Sequence, residues 1–132
     1  MDDKGIKTIE DALDVVIPDW YKEFLRNIPD WIHRTDENGE EIYWSLIYSK
    51  PETIIKATKG AREFKEEDWE NSFPQNLVCI GFTDSDFVIR SGEKKQNVYT
   101  FCPYLGDVHP EETMLLKDLV RQLRAEYERN KA

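Results

Sequence analysis

At 132 residues, with 39% apolar residues and 16 Trp, Tyr and Phe side chains, the chain has enough apolar mass to fold as one domain, which excludes a disordered polymer. A net charge of −9 has the wrong sign for gripping a phosphate backbone, so direct nucleic-acid binding is not expected. No window approaches the roughly 18 apolar residues of a membrane span, and Met1 to Gly5 is acidic without an apolar leader core, so the expected setting is the cytoplasm and not a membrane.

In chain order, Ile6, Ile9, Leu13 and Val16 mark a first amphipathic helix with Thr8 near its start. A second helix opens at Pro18, where Tyr21, Phe24, Leu25 and Ile28 recur at helical spacing, so one face is apolar and expected to be core; it stops before Pro29. Asn38-Gly39 is a turn signal ahead of Glu41 to Tyr48, a run rich in aromatic and β-branched residues that reads as a strand. Pro51 to Ala57 reads as a short helix and Arg62 to Ser72 as another. Leu77 to Phe82, Phe87 to Arg90 and Val98 to Phe101 read as three strands, separated by turn compositions at Asp84-Ser85-Asp86 and Ser91 to Lys95. A last helix is expected from about His109 to Asn130, with Leu116, Leu119, Val120, Leu123 and Tyr127 on one face. No repeat or low-complexity linker interrupts this order, so residues 1–132 are read as one domain. The fold class is α+β, an antiparallel sheet flanked by N-terminal and C-terminal helices.

The acidity is concentrated in one half. Residues 1–70 carry 18 Asp or Glu against 10 Lys or Arg, residues 71–110 carry 4 against 3, and residues 111–132 carry 5 against 5. It condenses at Asp36, Glu37, Glu40 and Glu41, and again at Glu63, Glu66, Glu67, Asp68 and Glu70. A solvated face that maintains solubility is one explanation; a docking surface for a basic protein is the functional one. Trp69 stands inside the second run, where an aromatic ringed by carboxylates has the composition of an interface anchor with a charged rim. Without Glu63, these nine residues are the candidate partner-binding set. Trp20 and Trp44 read instead as core or core-edge positions.

Two stretches carry a family resemblance. Ile17-Pro18-Asp19-Trp20-Tyr21-Lys22-Glu23-Phe24-Leu25 and, after Trp69, Phe73-Pro74-Gln75-Asn76-Leu77-Val78-Cys79-Ile80-Gly81 resemble, in order and spacing, the aliphatic-Pro-x-x-Tyr-Lys-x-Phe-Leu helix and the F-P-x-N-L strand segment of the SMI1/KNR4 family, also called SUKH. Ser49 to Ile54 is similar to its strand-to-helix passage and Val98-Tyr99 to its V-Y strand. Two turns depart from the pattern: Asn27 is followed by Ile28-Pro29-Asp30 where many members have Asn-Gly-Gly, and Ser85-Asp86-Phe87 stands where many have a Gly-Asp or Gly-Asn pair. The resemblance implies protein binding without catalysis or a cofactor. Bacterial members look like immunity proteins that neutralise polymorphic or contact-dependent toxins by direct contact, so the implied partner is a cognate toxin or other basic protein. The eukaryotic namesake acts in cell-wall regulation through protein partners, which makes a regulatory scaffold the alternative.

An enzyme is the remaining class, and the residues do not assemble one. His33 and His109 are the only histidines and form no H-x-x-x-H pair. Asp107, His109 and Glu111 alternate, which could supply metal ligands, yet capping of a helix start accounts for the same residues. Asp84 and Asp86 fit a hairpin turn better than a cation site. Cys79 and Cys102, with 22 residues between them, read as reduced core thiols. No Walker, G-x-S-x-G or glycine-rich phosphate motif occurs, so neither catalytic residues, a metal nor a cofactor is assigned.

Overall fold

A computed structural model describes residues 1–29, 47–63, 73–82, 85–102 and 106–131. Among them are four helices, α1 (Asp3–Leu13), α2 (Asp19–Arg26), α3 (Pro51–Glu63) and α4 (Leu116–Lys131), and five strands, β1 (Leu77–Phe82), β2 (Asp86–Arg90), β3 (Asn97–Cys102), β4 (Asp107–Val108) and β5 (Met114–Leu115). The strands form one antiparallel sheet in the order β1-β2-β3, with β4 and β5 both paired to the far edge of β3. This is the α+β architecture expected from the sequence.

Helix α1 is capped by Asp2, whose carboxylate accepts the Gly5 N–H at 2.8 Å; Thr8 lies inside the helix and donates its hydroxyl to the Lys4 carbonyl. It ends at Asp14, a left-handed residue with φ of 54°. Val16 is therefore outside the helix and, contrary to its expected place on the apolar face, 57% exposed. Its backbone explains this. The Val16 N–H donates to the Ser91 hydroxyl and its carbonyl accepts the Gly92 N–H, so the residue is fastened to the β2–β3 turn while its neighbours Val15 and Ile17 point inward. In α2, Tyr21 and Leu25 are fully buried, whereas Phe24 is half-buried at the rim of the core, as is Ile28 just beyond the helix end at Arg26. Exposed Arg26 ties α2 to α1 through Asp3 at 2.7 Å, and that bond raises its guanidinium pKa.

Helix α3 extends past the Ala57 end read from the sequence and takes in Arg62 and Glu63, the first residues of the expected second helix. It runs from Pro51 through Gly60 to Glu63, because one glycine lowers helix propensity without interrupting the hydrogen-bond ladder. Residues 64–72 of the expected second helix lie outside the described residues, as do residues 41–46 of the expected first strand. The end of that strand, Tyr48, is buried and donates its N–H to the Ile80 carbonyl at 2.7 Å. One residue away, the Cys79 N–H donates to the hydroxyl of fully buried Thr58 in α3 at 2.9 Å. Together these satisfy the outer edge of β1, which would otherwise present unpaired donors and acceptors.

The sheet carries apolar residues on both faces, following the two-residue period of its strands. Val78, Ile80, Ile89 and Val98 join Ile6, Ile9, Leu13, Tyr21 and Leu25 of α1 and α2 and Leu116, Leu119 and Leu123 of α4. On the opposite face Leu77, Cys79, Val88 and Tyr99 cluster with Phe73 and Val108, with Ala57 and Ala61 of α3 against them. Two irregularities shape the sheet. The β1–β2 register steps between Cys79 and Gly81, a bulge at Ile80. The second lies where the sequence places the start of the last helix. After β4, that segment instead forms a 3₁₀ turn at Pro110–Glu112 and β5, and α4 begins only at Leu116. The register against β3 shifts by three residues from Phe101↔Val108 to Val98↔Met114, so the turn is extruded from the sheet edge as a three-residue ledge.

Candidate functional site

The nine residues singled out from sequence, Asp36, Glu37, Glu40, Glu41, Glu66, Glu67, Asp68, Trp69 and Glu70, lie outside the described residues, as do Trp31, His33, Trp44 and Asp84. The remaining sequence candidates have defined places. His109 caps the 3₁₀ turn, its Nδ1 accepting the Glu111 N–H at 3.3 Å. Asp107 Oδ1 accepts its neighbour's Val108 N–H at 2.8 Å and faces Arg90 Nη2 at 3.6 Å. The alternating Asp107-His109-Glu111 motif thus forms a cap and an ion pair instead of converging. Among the described residues no group of three or more His, Cys, Asp or Glu side chains is placed to hold a metal ion.

The two thiols are free; Cys79 is buried and Cys102 half-buried. Burial pushes the Cys79 thiol far above its ordinary range, and the nearby Asp86 carboxylate adds to the effect, so the nucleophilic thiolate is suppressed. Asp86, at the start of β2 opposite Phe82, has its own carboxyl pKa raised by burial.

Two polar assemblies stand out. The first joins β2, the β2–β3 turn, β3 and β4. The Arg90 guanidinium lies 4.8 Å from the Tyr99 ring centroid, and the Tyr99 hydroxyl donates to the Glu93 carboxylate at 2.5 Å. Burial, then the Glu93 bond, raises the Tyr99 pKa. The Glu93 carbonyl in turn accepts the Trp20 indole N–H at 2.8 Å, tying the turn to α2. Opposite charges meet within this assembly, and its work is to hold the hairpin against the helices. Trp20, edge-on to Tyr21 with ring centroids 5.7 Å apart, belongs to the same fastening and not to a ligand-stacking platform.

The second is a groove of about 400 Å³ lined by Ser85, Phe87, Thr100, Glu111, Glu112, Thr113 and Met114. Phe87 and Thr100 are cross-strand partners and form its floor. The extruded 3₁₀ turn and Met114 make its wall. Glu111 and Glu112 are exposed, and neither side chain has an ion-pair or hydrogen-bond partner among the described residues. Sequence reasoning weighs Glu111 as a metal ligand or a helix-start residue, not as part of a groove. It has no means of joining Phe87 to Glu112, since their proximity depends on strand register and on the three-residue slip.

No helix among the described residues is long and apolar enough to cross a membrane. Neither a curated protein nor a solved structure matches the chain. A family model, SMI1 / KNR4 family (SUKH-1), matches residues 1–119, from the first helix through the sheet and its edge strands into α4. That span covers every strand and the residues of both motif stretches: the chain belongs to the SMI1/KNR4 family (SUKH-1).

Proposed function

We propose that this chain is a protein-binding module, one domain over residues 1–132, that neutralises a cognate toxin by direct contact in the cytoplasm. The family match over residues 1–119 carries this reading, because members of the family act through protein partners. The net charge of −9 supports a basic partner surface, and the acidic runs 36–41 and 66–70, with Trp69 inside the second, are the proposed contact set. No catalytic step is assigned to the chain. Burial raises the pKa of the Cys79 thiol, and His109, which caps the 3₁₀ turn, has its Nδ1 engaged by the Glu111 N–H.

The decisive experiment takes the product of the adjacent gene as the partner. Mixed with this protein at equal concentration, it should elute as a complex from a sizing column and lose its toxic activity. A toxin that stays fully active in saturating excess would overturn the immunity reading. A partner that binds stably but has no toxicity would replace it with the regulatory-scaffold reading.

A further inference from the structure

We propose that the groove between the Phe87–Thr100 pair and the extruded 3₁₀ turn receives a lysine or arginine side chain from a partner protein. The inference rests on the protein-binding reading only for the identity of that partner. Its volume, about 400 Å³, falls within the roughly 300–1,000 Å³ typical of ligand clefts, which exceeds one side chain and suits a basic residue with its flanking backbone. The chemistry of the lining is graded. Phe87 and Met114 are half-buried and pack against the main core, so they offer a fixed apolar surface. Thr100 is buried in the floor, and Ser85 and Thr113 add hydroxyls at the sides. Glu111 and Glu112 stand at the mouth with carboxylates that no described cation neutralises.

A lysine or arginine side chain matches this order from stem to tip. Its methylenes cover apolar surface while its charged head stays near the rim, the arrangement that such side chains adopt generally. An aliphatic side chain would leave the two carboxylates uncompensated. An acidic one would be repelled. The aromatic ring of Phe87 further favours a cation over a neutral polar group. Among the described residues, the lining comes from Ser85 and Phe87 at the start of β2, from Thr100 of β3, and from the 3₁₀ turn running into β5.

The test uses the full chain, labelled with ¹⁵N, titrated with three capped pentapeptides that carry arginine, norleucine or glutamate between glycines. The arginine peptide should shift the amide signals of Phe87, Thr100, Glu111, Thr113 and Met114 saturably, with about fivefold or greater weakening for the norleucine peptide. The double substitution Glu111→Gln and Glu112→Gln should remove that preference, and rising salt should weaken the arginine peptide selectively. Equal shifts from arginine and norleucine peptides, or shifts confined to other parts of the chain, would overturn the proposal. The outcome separates from that of the function: if the double variant still binds and silences the adjacent-gene toxin as the parent does, the groove assignment fails while the immunity reading stands.

Discussion

Side chains only a few positions apart in α2 have different energetic roles. Leu25 is completely enclosed, and Leu25→Ala should cost about 2–5 kcal/mol in a denaturant titration. Phe24 sits at the rim against the same core, so Phe24→Ala should cost about 1–2 kcal/mol, below the cost for a fully enclosed ring. Equal losses at the two positions would mean that Phe24 is as deeply packed as Leu25. Asp86 offers a different kind of test. Burial raises its carboxyl pKa, so the folded protein holds the proton more tightly than the unfolded chain does. The stability that this group contributes is present below the ordinary carboxylate pKa and is lost as pH rises through the raised folded value. At neutral pH the charged form is a net cost, and Asp86→Asn should raise the thermal midpoint by about 2–5 °C. The difference should close by about pH 3, where both states are largely protonated. A midpoint gain that is the same at pH 3 and pH 7 would show that charge is not its cause.

Helices α1 and α3 each contain a glycine, and their surroundings predict effects of opposite sign. Gly60 is exposed in α3, and a methyl group there would meet no atom within 4 Å. Gly60→Ala should therefore stabilise the protein by about 0.5–1 kcal/mol through helix propensity alone. Gly5 lies where α1 crosses the start of α3, and a methyl group would fall 2.9 Å from the Pro51 ring. The ring cannot yield as a flexible side chain would, so Gly5→Ala should lose about 1–3 kcal/mol as the helices separate. Urea midpoints of the two variants check both signs together. A stabilised Gly5→Ala would mean that the α1–α3 approach is looser than the packing indicates.

For the molecule as a whole, the acidic half of the chain predicts kinetics. If the partner is a basic toxin, the excess carboxylates of residues 36–70 should accelerate encounter, and association should slow as salt rises. Reversing Glu66, Glu67 and Glu70 to Lys should lower the association rate by about tenfold, while Trp69→Ala should act mainly on dissociation if the indole is an anchor. Surface plasmon resonance against the adjacent-gene product at two salt concentrations reads both, with thermal unfolding as the control for folding. Association that is indifferent to salt and to the reversal would remove the acidic runs from the contact set.

Periodicity and turn chemistry in the sequence by themselves determined the α+β class, the first two helices and the three consecutive strands, because these follow from spacing along the chain: Tyr21 and Leu25 repeat with a helical turn, and Leu77 to Phe82 is bounded by turn residues. Where local signals compete, the boundaries moved. Helix α3 ran on past Ala57 to Glu63, and Pro110 opened a 3₁₀ ledge instead of the last helix. Contacts between distant segments decided the rest. Val16 turns outward because Ser91 and Gly92 hold its backbone, and Thr58 is buried because the Cys79 N–H at the sheet edge requires an acceptor. The groove belongs to this second kind. Phe87, Thr100 and Glu112 come together only through the pairing of β2 with β3 and a three-residue slip at the far edge of β3, contacts between segments that the chain order alone does not join.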